Sequence, residues 1–248
     1  MLLLAFSAEL PFTVLLNRLV GRPTAALLHA LRIELHNPDT PISDVVAMQV
    51  LIVLLLTVAF LTARSRLSVD RPGSLQHIVE FLHGFVDGQA EQLIGHHYER
   101  FLPFLMALGL YILTANLIGL VPGFESPTAN PAVPLGCAIL AFGYYNYYGV
   151  RHHGMGYLKQ FMGPVWWLSP LVFLIEVISH LARMMSLTIR LFANMFAGEM
   201  LGLAFFSLIP LAVPIVFMGL HLGVALIQTY IFVLLTTVYL AGAVAEEH

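Results

Sequence analysis

Charged residues are scarce in this chain of 248 residues, because Asp, Glu, Lys and Arg together make up only 10% of it. That excludes an ordinary soluble globular domain, in which about a quarter of the residues are charged. Basic excess is also missing, since 11 Lys and Arg stand against 14 Asp and Glu, which argues against a nucleic-acid partner. The single cysteine, Cys137, excludes an intrachain disulfide and a thiolate metal site.

Long apolar runs are what the sequence has instead. Hydrophobic residues make up 59% of it, and the mean hydropathy is +0.86. Runs able to cross about 30 Å of hydrocarbon lie near 44–63, 101–121, 132–149, 168–209 and 214–244. We therefore expect an all-α polytopic membrane protein with about five transmembrane helices in a single membrane domain, 41–248. The sequence gives no placement for residues 1–40.

Two segments predict unusual helices. The run near 168–209 has no proline between Pro170 and Pro210, and as one helix it would be about twice as long as the membrane core is thick. Such a helix fits by tilting steeply, kinking or running along the interface, and we expect the last two helices to be strongly tilted. Residues 74–95 have an apolar helical stripe but are too polar to span, which predicts an amphipathic interfacial helix.

Basic residues in the short loops predict the orientation. They follow the first and third spans, at Arg64, Arg66, Arg71, Arg151 and Lys159. Loops of this kind are cytoplasmic in most membrane proteins. We therefore expect the N-terminus outside and the C-terminus in the cytoplasm, although three arginines within residues 1–40 run against the rule.

Polar residues in the fourth run share one broad helical stripe: Glu176, Ser179, His180, Arg183, Arg190 and Asn194. Glu199 lies nine residues after Arg190, about 180° around the helix and about 13.5 Å along it. Glu176 is displaced about 21 Å in the opposite direction. The sequence thus predicts an acidic group on each side of a mid-membrane arginine.

The last run has a matching polar face, formed by His221, Gln228 and Tyr239. If the two helices pack antiparallel with Gln228 level with Arg190, His221 lies near the level of Glu199 and Tyr239 near that of Ser179. Polar groups then meet at three depths. The alternative is a structural role, with Arg190 neutralised by a buried carboxylate and with His221 and Gln228 as interhelical hydrogen-bonding residues.

The chemistry of these groups suggests an ion path. An arginine keeps its proton, so Arg190 is a fixed charge. Glu199 and His221 can exchange protons in an aqueous half-channel from outside. Glu176, Ser179, His180 and Tyr239 can line a second half-channel from inside. A path divided by a fixed cation needs a mobile carrier, and no carrier carboxylate is evident in this chain.

Several motifs resemble subunit a of the bacterial F-type ATP synthase membrane sector. The most specific is Ser186–Glu199, SLTIRLFANMFAGE, and the others are Asn116–Pro122, Ser126–Thr128 and the final helix from Gln228 to Tyr239. The resemblance runs from about Pro41 to His248. It implies that Arg190 faces the carboxylates of a rotating ring of c subunits, which load through Glu199, His221, Asn194 and Gln228 and discharge near Glu176 and Ser179.

The same resemblance implies a non-catalytic subunit of the bacterial inner membrane, without cofactor or metal. Its partners would be the c ring, the peripheral-stalk b subunits, the lipid bilayer and, indirectly, the soluble catalytic head. The transported ion would be H⁺ or Na⁺, as the site on the ring determines. This sequence departs from the pattern at Gly119, where some relatives carry an acid, and at Arg183, where some carry lysine. We interpret His180 as a packed core histidine.

Two other classes of function are open to the same sequence. Intramembrane Glu176, Arg190 and Glu199 also suit a secondary cation/proton antiporter, but such transporters have paired repeats and broken helices, and neither is visible. The 11 histidines suggest a membrane metalloenzyme as another class, but no His-Glu-x-x-His spacing occurs.

Overall fold

The computed structural model describes residues 10–30, 40–65, 73–121, 124–154, 156–157, 168–208 and 212–245. Within these ranges the chain is helical and contains no strand, so the predicted all-α class is confirmed. The helices are α1 Pro11–Ala30, α2 Asp44–Ser65, α3 Ser74–Ile94, α4 Leu102–Ile118, α5 Ala132–His153, α6 Ser169–Leu208 and α7 Ala212–Val244. Short 3-10 turns lie at Tyr98–Arg100 and Pro127–Ala129.

Prolines and glycines account for several of these boundaries. Pro103, Pro134, Pro170 and Pro214 each lie in the first turn of a helix, where a missing backbone N–H breaks no helical hydrogen bond. Glycines with positive φ end α3 and α5, at Gly95 and Gly154, since only glycine enters that region without strain. Helices α2 to α7 therefore begin and end within a few residues of the predicted segments.

In the part of the chain that the structure describes, three helices are long and apolar enough to cross a membrane: α2, α6 over Ser169–Gly202 and α7 over Ile215–Val244. Helix α4 is apolar but has only 17 residues. Helix α5 is absent from this set, because its second half carries four tyrosines and Asn146. The chain is thus a polytopic helical membrane protein, while membrane crossing by α4 and α5 remains a prediction.

Helices α4, α5, α6 and α7 surround the main core. Small residues such as Ala138, Ala141 and Ala225 let these helices approach closely, as is usual between membrane helices. A second apolar cluster joins α3 to α4, α5 and α7 through Ala90, Leu105, Tyr145 and Leu240. Helix α3 also packs on α7, where the ring centres of Phe85 and Tyr230 are 5.4 Å apart. The apolar face of α3 is therefore partly covered by protein. Its interfacial placement remains a prediction.

Helix α6 is continuous for 40 residues, or about 60 Å. In the most apolar stretch of α6 only 11% of the residues are buried, compared with 44% in that of α7. Its outward face carries large exposed apolar residues, including Ile178, Met185, Ile189 and Phe196. Helix α6 therefore has an apolar surface available for lipid or another subunit; its predicted tilt remains a prediction.

The N-terminal region, unplaced by the sequence, contains α1, which packs on α2. The Asn17 amide clamps the segment before α2, donating to the Ile42 carbonyl and accepting from the Ile42 N–H, both at 3.1 Å. Four residues used for orientation or boundaries lie outside the described residues: Arg66, Arg71, Lys159 and Pro210.

Candidate functional site

Arg190 and Glu199 lie at opposite edges of the buried face of α6. That face is formed by Leu187, Leu191 and Met195, which contact the main core. With about 100° per residue, Arg190 falls on one side of this stripe and Glu199 on the other. Both are half-buried. The angular separation expected from the sequence thus gives the two charges different surroundings.

The Glu199 carboxylate is held by the loop between α4 and α5. Its Oε1 accepts a hydrogen bond from the Ser126 backbone N–H at 2.7 Å. Gly119 makes this approach possible, because a Cβ there would lie 2.7 Å from the Ser126 Cβ and 3.3 Å from the Glu199 Oε1. The glycine that departs from some relatives therefore borders the carboxylate directly.

Behind Ser126 lies a buried hydrogen-bond network that joins the loop to α4 and α7. The Ser126 hydroxyl donates to the Ala115 carbonyl at 2.9 Å and lies 2.7 Å from the Thr128 hydroxyl. Thr128 donates to the Asn116 Oδ1 at 2.7 Å, and the Asn116 amide donates to Thr229 on α7 at 3.1 Å. We call Ser126, Thr128, Asn116 and Thr229 the outer network.

Near Glu199, helices α6 and α7 make one further hydrogen bond and one close packing contact. The Asn194 amide donates to the Gln228 Oε1 at 2.7 Å. The His221 ring packs directly on Gly198, where any Cβ would collide with its Nδ1. Gly198 immediately precedes Glu199, so His221 lies beside the carboxylate's own backbone. Its Nε2 is buried and has no hydrogen-bond partner among the described residues.

Arg190 makes one described polar contact. Its Nη2 donates to the Ser186 hydroxyl at 3.2 Å, one turn earlier on α6. No carboxylate among the described residues lies within 4.0 Å of its guanidinium. The one ion contact among those residues joins Glu176 to His180. Among the described residues, this geometry argues against neutralisation of Arg190 by a buried carboxylate.

The opposite end of the α6–α7 pair is aromatic. His180 is buried, with edge-on contacts to Phe142 and Tyr145 at 6.3 and 6.0 Å, and its Nδ1 lies 3.9 Å from the Glu176 Oε1. Arg183 lies over the Tyr239 ring at 5.5 Å. Ser179 is half-buried on the same stripe. Of the inner residues named from the sequence, Glu176 therefore lies near His180, which packs as a core residue, and Tyr239 contacts Arg183.

Two of the three contacts between α6 and α7 are displaced by about one helical turn from the expected alignment. Gln228 lies opposite Asn194 instead of Arg190, and Tyr239 lies opposite Arg183 instead of Ser179. His221 lies at Gly198, next to its expected partner. The His221 contact with Gly198 therefore keeps the expected antiparallel alignment to within one residue, whereas the Asn194–Gln228 and Arg183–Tyr239 contacts depart from it by four residues.

One titratable group borders the site outside the helices. Glu125 precedes Ser126 in the loop, and burial raises the pKa of its carboxyl above the ordinary value, with a smaller contribution from the charge of Asp44. Sequence reasoning gave no site role to Glu125, Asn116, Ser126, Thr128 or Thr229. The available signal was the polar character of Asn116 and Thr229 within apolar runs.

The fold and this site define a class: a polytopic helical membrane protein whose two long helices carry an arginine and a separately held carboxylate. Residues 45–241 match the family model described as ATP synthase A chain. The ATP synthase subunit a of Koribacter versatilis is 55% identical over 241 residues, covering 97% of this chain and 98% of its own. That of Solibacter usitatus is 54% identical over 209 residues, covering 84% and 90%.

The chain therefore belongs to the ATP synthase subunit a family, as the arginine motif indicated. It is a non-catalytic, multi-pass component of the membrane sector of the ATP synthase complex. Family membership decides against the antiporter and metalloenzyme alternatives.

Proposed function

We propose that this subunit provides two offset aqueous half-channels, separated by Arg190 at the interface with a rotating c ring, and so couples ion flow to ATP synthesis. The observation that carries the proposal is the surroundings of Arg190. Its guanidinium lies at the edge of an exposed apolar surface, with Ser186 as its described polar contact and no described carboxylate within 4.0 Å. Because an unpaired charge in a membrane is expensive, a carboxylate from another subunit is the expected partner.

On the outer side, Glu199, His221, Asn194 and Gln228 form the loading path. The Asn194–Gln228 hydrogen bond and the packing of His221 on Gly198 support their assignment to one site. On the inner side, Glu176, Ser179 and Tyr239 form the release path. The approach of Arg183 to Tyr239 across α6 and α7 supports this grouping.

The wider assembly follows from the same mechanism. One ion crossing about 100 mV supplies roughly 2.3 kcal/mol, so many crossings must be summed for one ATP, as a rotor does. The partners are the c ring, the peripheral-stalk b subunits and, through them, the catalytic head. The site of action is the inner membrane of a bacterium, with the N-terminus outside and the C-terminus in the cytoplasm. The transported ion is H⁺, or Na⁺ if the ring selects it.

Replacing the arginine tests this function. In assembled complexes, Arg190→Ala should reduce proton-driven ATP synthesis to background, because no fixed charge meets the ring carboxylates. Arg183→Ala is the matched control, since it removes an arginine from the same stripe two turns away, and it should retain most of the synthesis. Full synthesis by Arg190→Ala would overturn the proposal.

A further inference from the structure

We propose that the turn at Ser126–Thr128 is the positioning element for the Glu199 carboxylate, with the Ser126 backbone N–H as donor and the outer network as its support. The inference rests on the proposed function, in which Glu199 belongs to the outer ion path. It assigns roles to residues of the α4–α5 loop, which themselves exchange no proton with Glu199.

The nature of the donor distinguishes positioning from proton relay. A backbone amide donates a hydrogen bond but does not release its proton near neutral pH, so Ser126 cannot pass protons to the carboxylate. A bond of 2.7 Å from an N–H is short, as expected when the acceptor is a carboxylate. This bond therefore fixes where the Oε1 lies and stabilises its ionised form.

The outer network determines where that N–H points. The Ser126 hydroxyl donates to the Ala115 carbonyl on α4, and the Thr128 hydroxyl, 2.7 Å away, donates to the Asn116 Oδ1, so the single proton of each hydroxyl is used. Asn116 in turn reaches Thr229 on α7. Ser126, Thr128 and Asn116 are almost completely buried. A buried network in which every member is bonded is rigid, so the loop cannot shift without breaking several hydrogen bonds.

Steric constraints act in the same direction. The missing side chain of Gly119 leaves the space that the Ser126 Cβ occupies, and the missing side chain of Gly198 leaves the space for His221. Glu199 thus has the α4–α5 loop on one side, and its neighbour Gly198 packs against His221 of α7. These contacts therefore restrict where the Glu199 carboxylate can lie.

Ser126→Pro replaces the donor N–H by the proline Cδ at a position whose φ of −73° suits proline. The carboxylate then loses its hydrogen bond and must also move away from the Cδ, because the Oε1 lies only 2.7 Å from that nitrogen. Ser126→Ala is the matched control, because it removes the same hydroxyl and keeps the N–H. In vesicles carrying the full complex, Ser126→Pro should lower proton-driven ATP synthesis about tenfold relative to Ser126→Ala, the usual effect of losing one hydrogen bond to a charged group.

The dependence of synthesis on outer pH provides a readout that general destabilisation would not move. Loss of the donor favours the protonated carboxyl, so the midpoint in Ser126→Pro should move to higher outer pH. Ser126→Ala keeps the N–H but loses two contacts of the outer network, so its midpoint should move by a smaller amount, similar to that in Thr128→Val. Equal rates and equal midpoints for the two variants would overturn the proposal.

Thr128 gives a second test that decides if Ser126→Pro does not assemble. Thr128→Val breaks the outer network with little change in shape, and Thr128→Ser restores the hydroxyl. The valine variant should shift the midpoint of the dependence on outer pH, and the serine variant should not. Thr114→Val is the control, because it removes only a hydrogen bond to the Leu110 carbonyl. No shift in Thr128→Val would contradict the proposal.

Glu199→Gln in the same vesicles separates this proposal from the proposed function. If Glu199→Gln keeps full synthesis, the outer path itself is wrong. If Glu199→Gln loses synthesis while Ser126→Pro matches Ser126→Ala, the path stands and the positioning role alone is wrong.

Discussion

The two ends of the α6–α7 pair hold their acidic residues in different ways. At the outer end, Glu199 accepts a hydrogen bond from a loop that is itself bonded to α4 and α7. At the inner end, Glu176 has an ion contact of 3.9 Å to a histidine on its own helix, and the neighbouring groups are aromatic rings. A tertiary hydrogen bond thus fixes the outer carboxylate, whereas the described ion contact of the inner one lies within α6.

This difference teaches which parts of an ion path a single chain can organise. Taking a carboxylate out of water without a partner is costly, so a preformed hydrogen bond is needed where protein surrounds it. A residue on an exposed edge keeps access to water or to a second subunit and needs less. We infer that the outer path is largely complete within this chain, while the inner path takes shape at the interface with the ring.

The largest expected effect comes from removing the two carboxylates in turn. Glu199→Gln should lower proton-driven ATP synthesis about 100-fold or more, because a positioned proton-exchanging group typically contributes that much. Glu176→Gln should lower it only a few fold, since its position depends on fewer contacts. Synthesis rates in vesicles with matched complex content measure both. Equal losses would remove the distinction between the two ends.

A smaller effect is expected from filling the contact between Gly198 and His221. Gly198→Ala places a Cβ in the imidazole ring, which forces α6 and α7 apart at a cost of about 1–3 kcal/mol. Gly202→Ala is the control, because no described atom lies within 4 Å of a Cβ there. The thermal stability of the purified complex should fall for Gly198→Ala only. A similar fall in both variants would show that the helix, not the contact, is sensitive.

The smallest effect is expected at His180. His180→Phe keeps an aromatic ring against Phe142 and Tyr145, so packing is preserved while the imidazole is lost. If His180 is a core residue, ATP synthesis should stay within about twofold of the parent across the pH range. A tenfold loss would instead make the imidazole part of the inner path.

Much of the fold follows from the sequence because lipid imposes simple requirements. Apolar length and the positions of proline set the boundaries of α2 to α7, and the long proline-free interval after Pro170 gives the unbroken α6. Helical periodicity also separates Arg190 from Glu199. These are properties of one helix in an apolar solvent, and they need no knowledge of its neighbours.

Register and the loop contacts could not be predicted in this way. The contact of Gln228 with Asn194 depends on how the two helices cross and on how far their long side chains extend, which the periodicity of each helix alone does not determine. The bond from Ser126 to Glu199 joins residues 73 positions apart through a backbone N–H that leaves no signature in the sequence. The motifs identified the family, but only the structure brought this donor to the carboxylate.

The central claim is that one fixed cation separates two ion paths. Its most direct test compares passive ion uptake with ATP synthesis in vesicles carrying Arg190→Ala complexes, with the catalytic head removed for the uptake measurement. The account predicts that ions still cross while proton-driven synthesis is lost, because the two paths are no longer kept apart. Synthesis at the parental rate, with no increase in passive uptake over the parent, would contradict it.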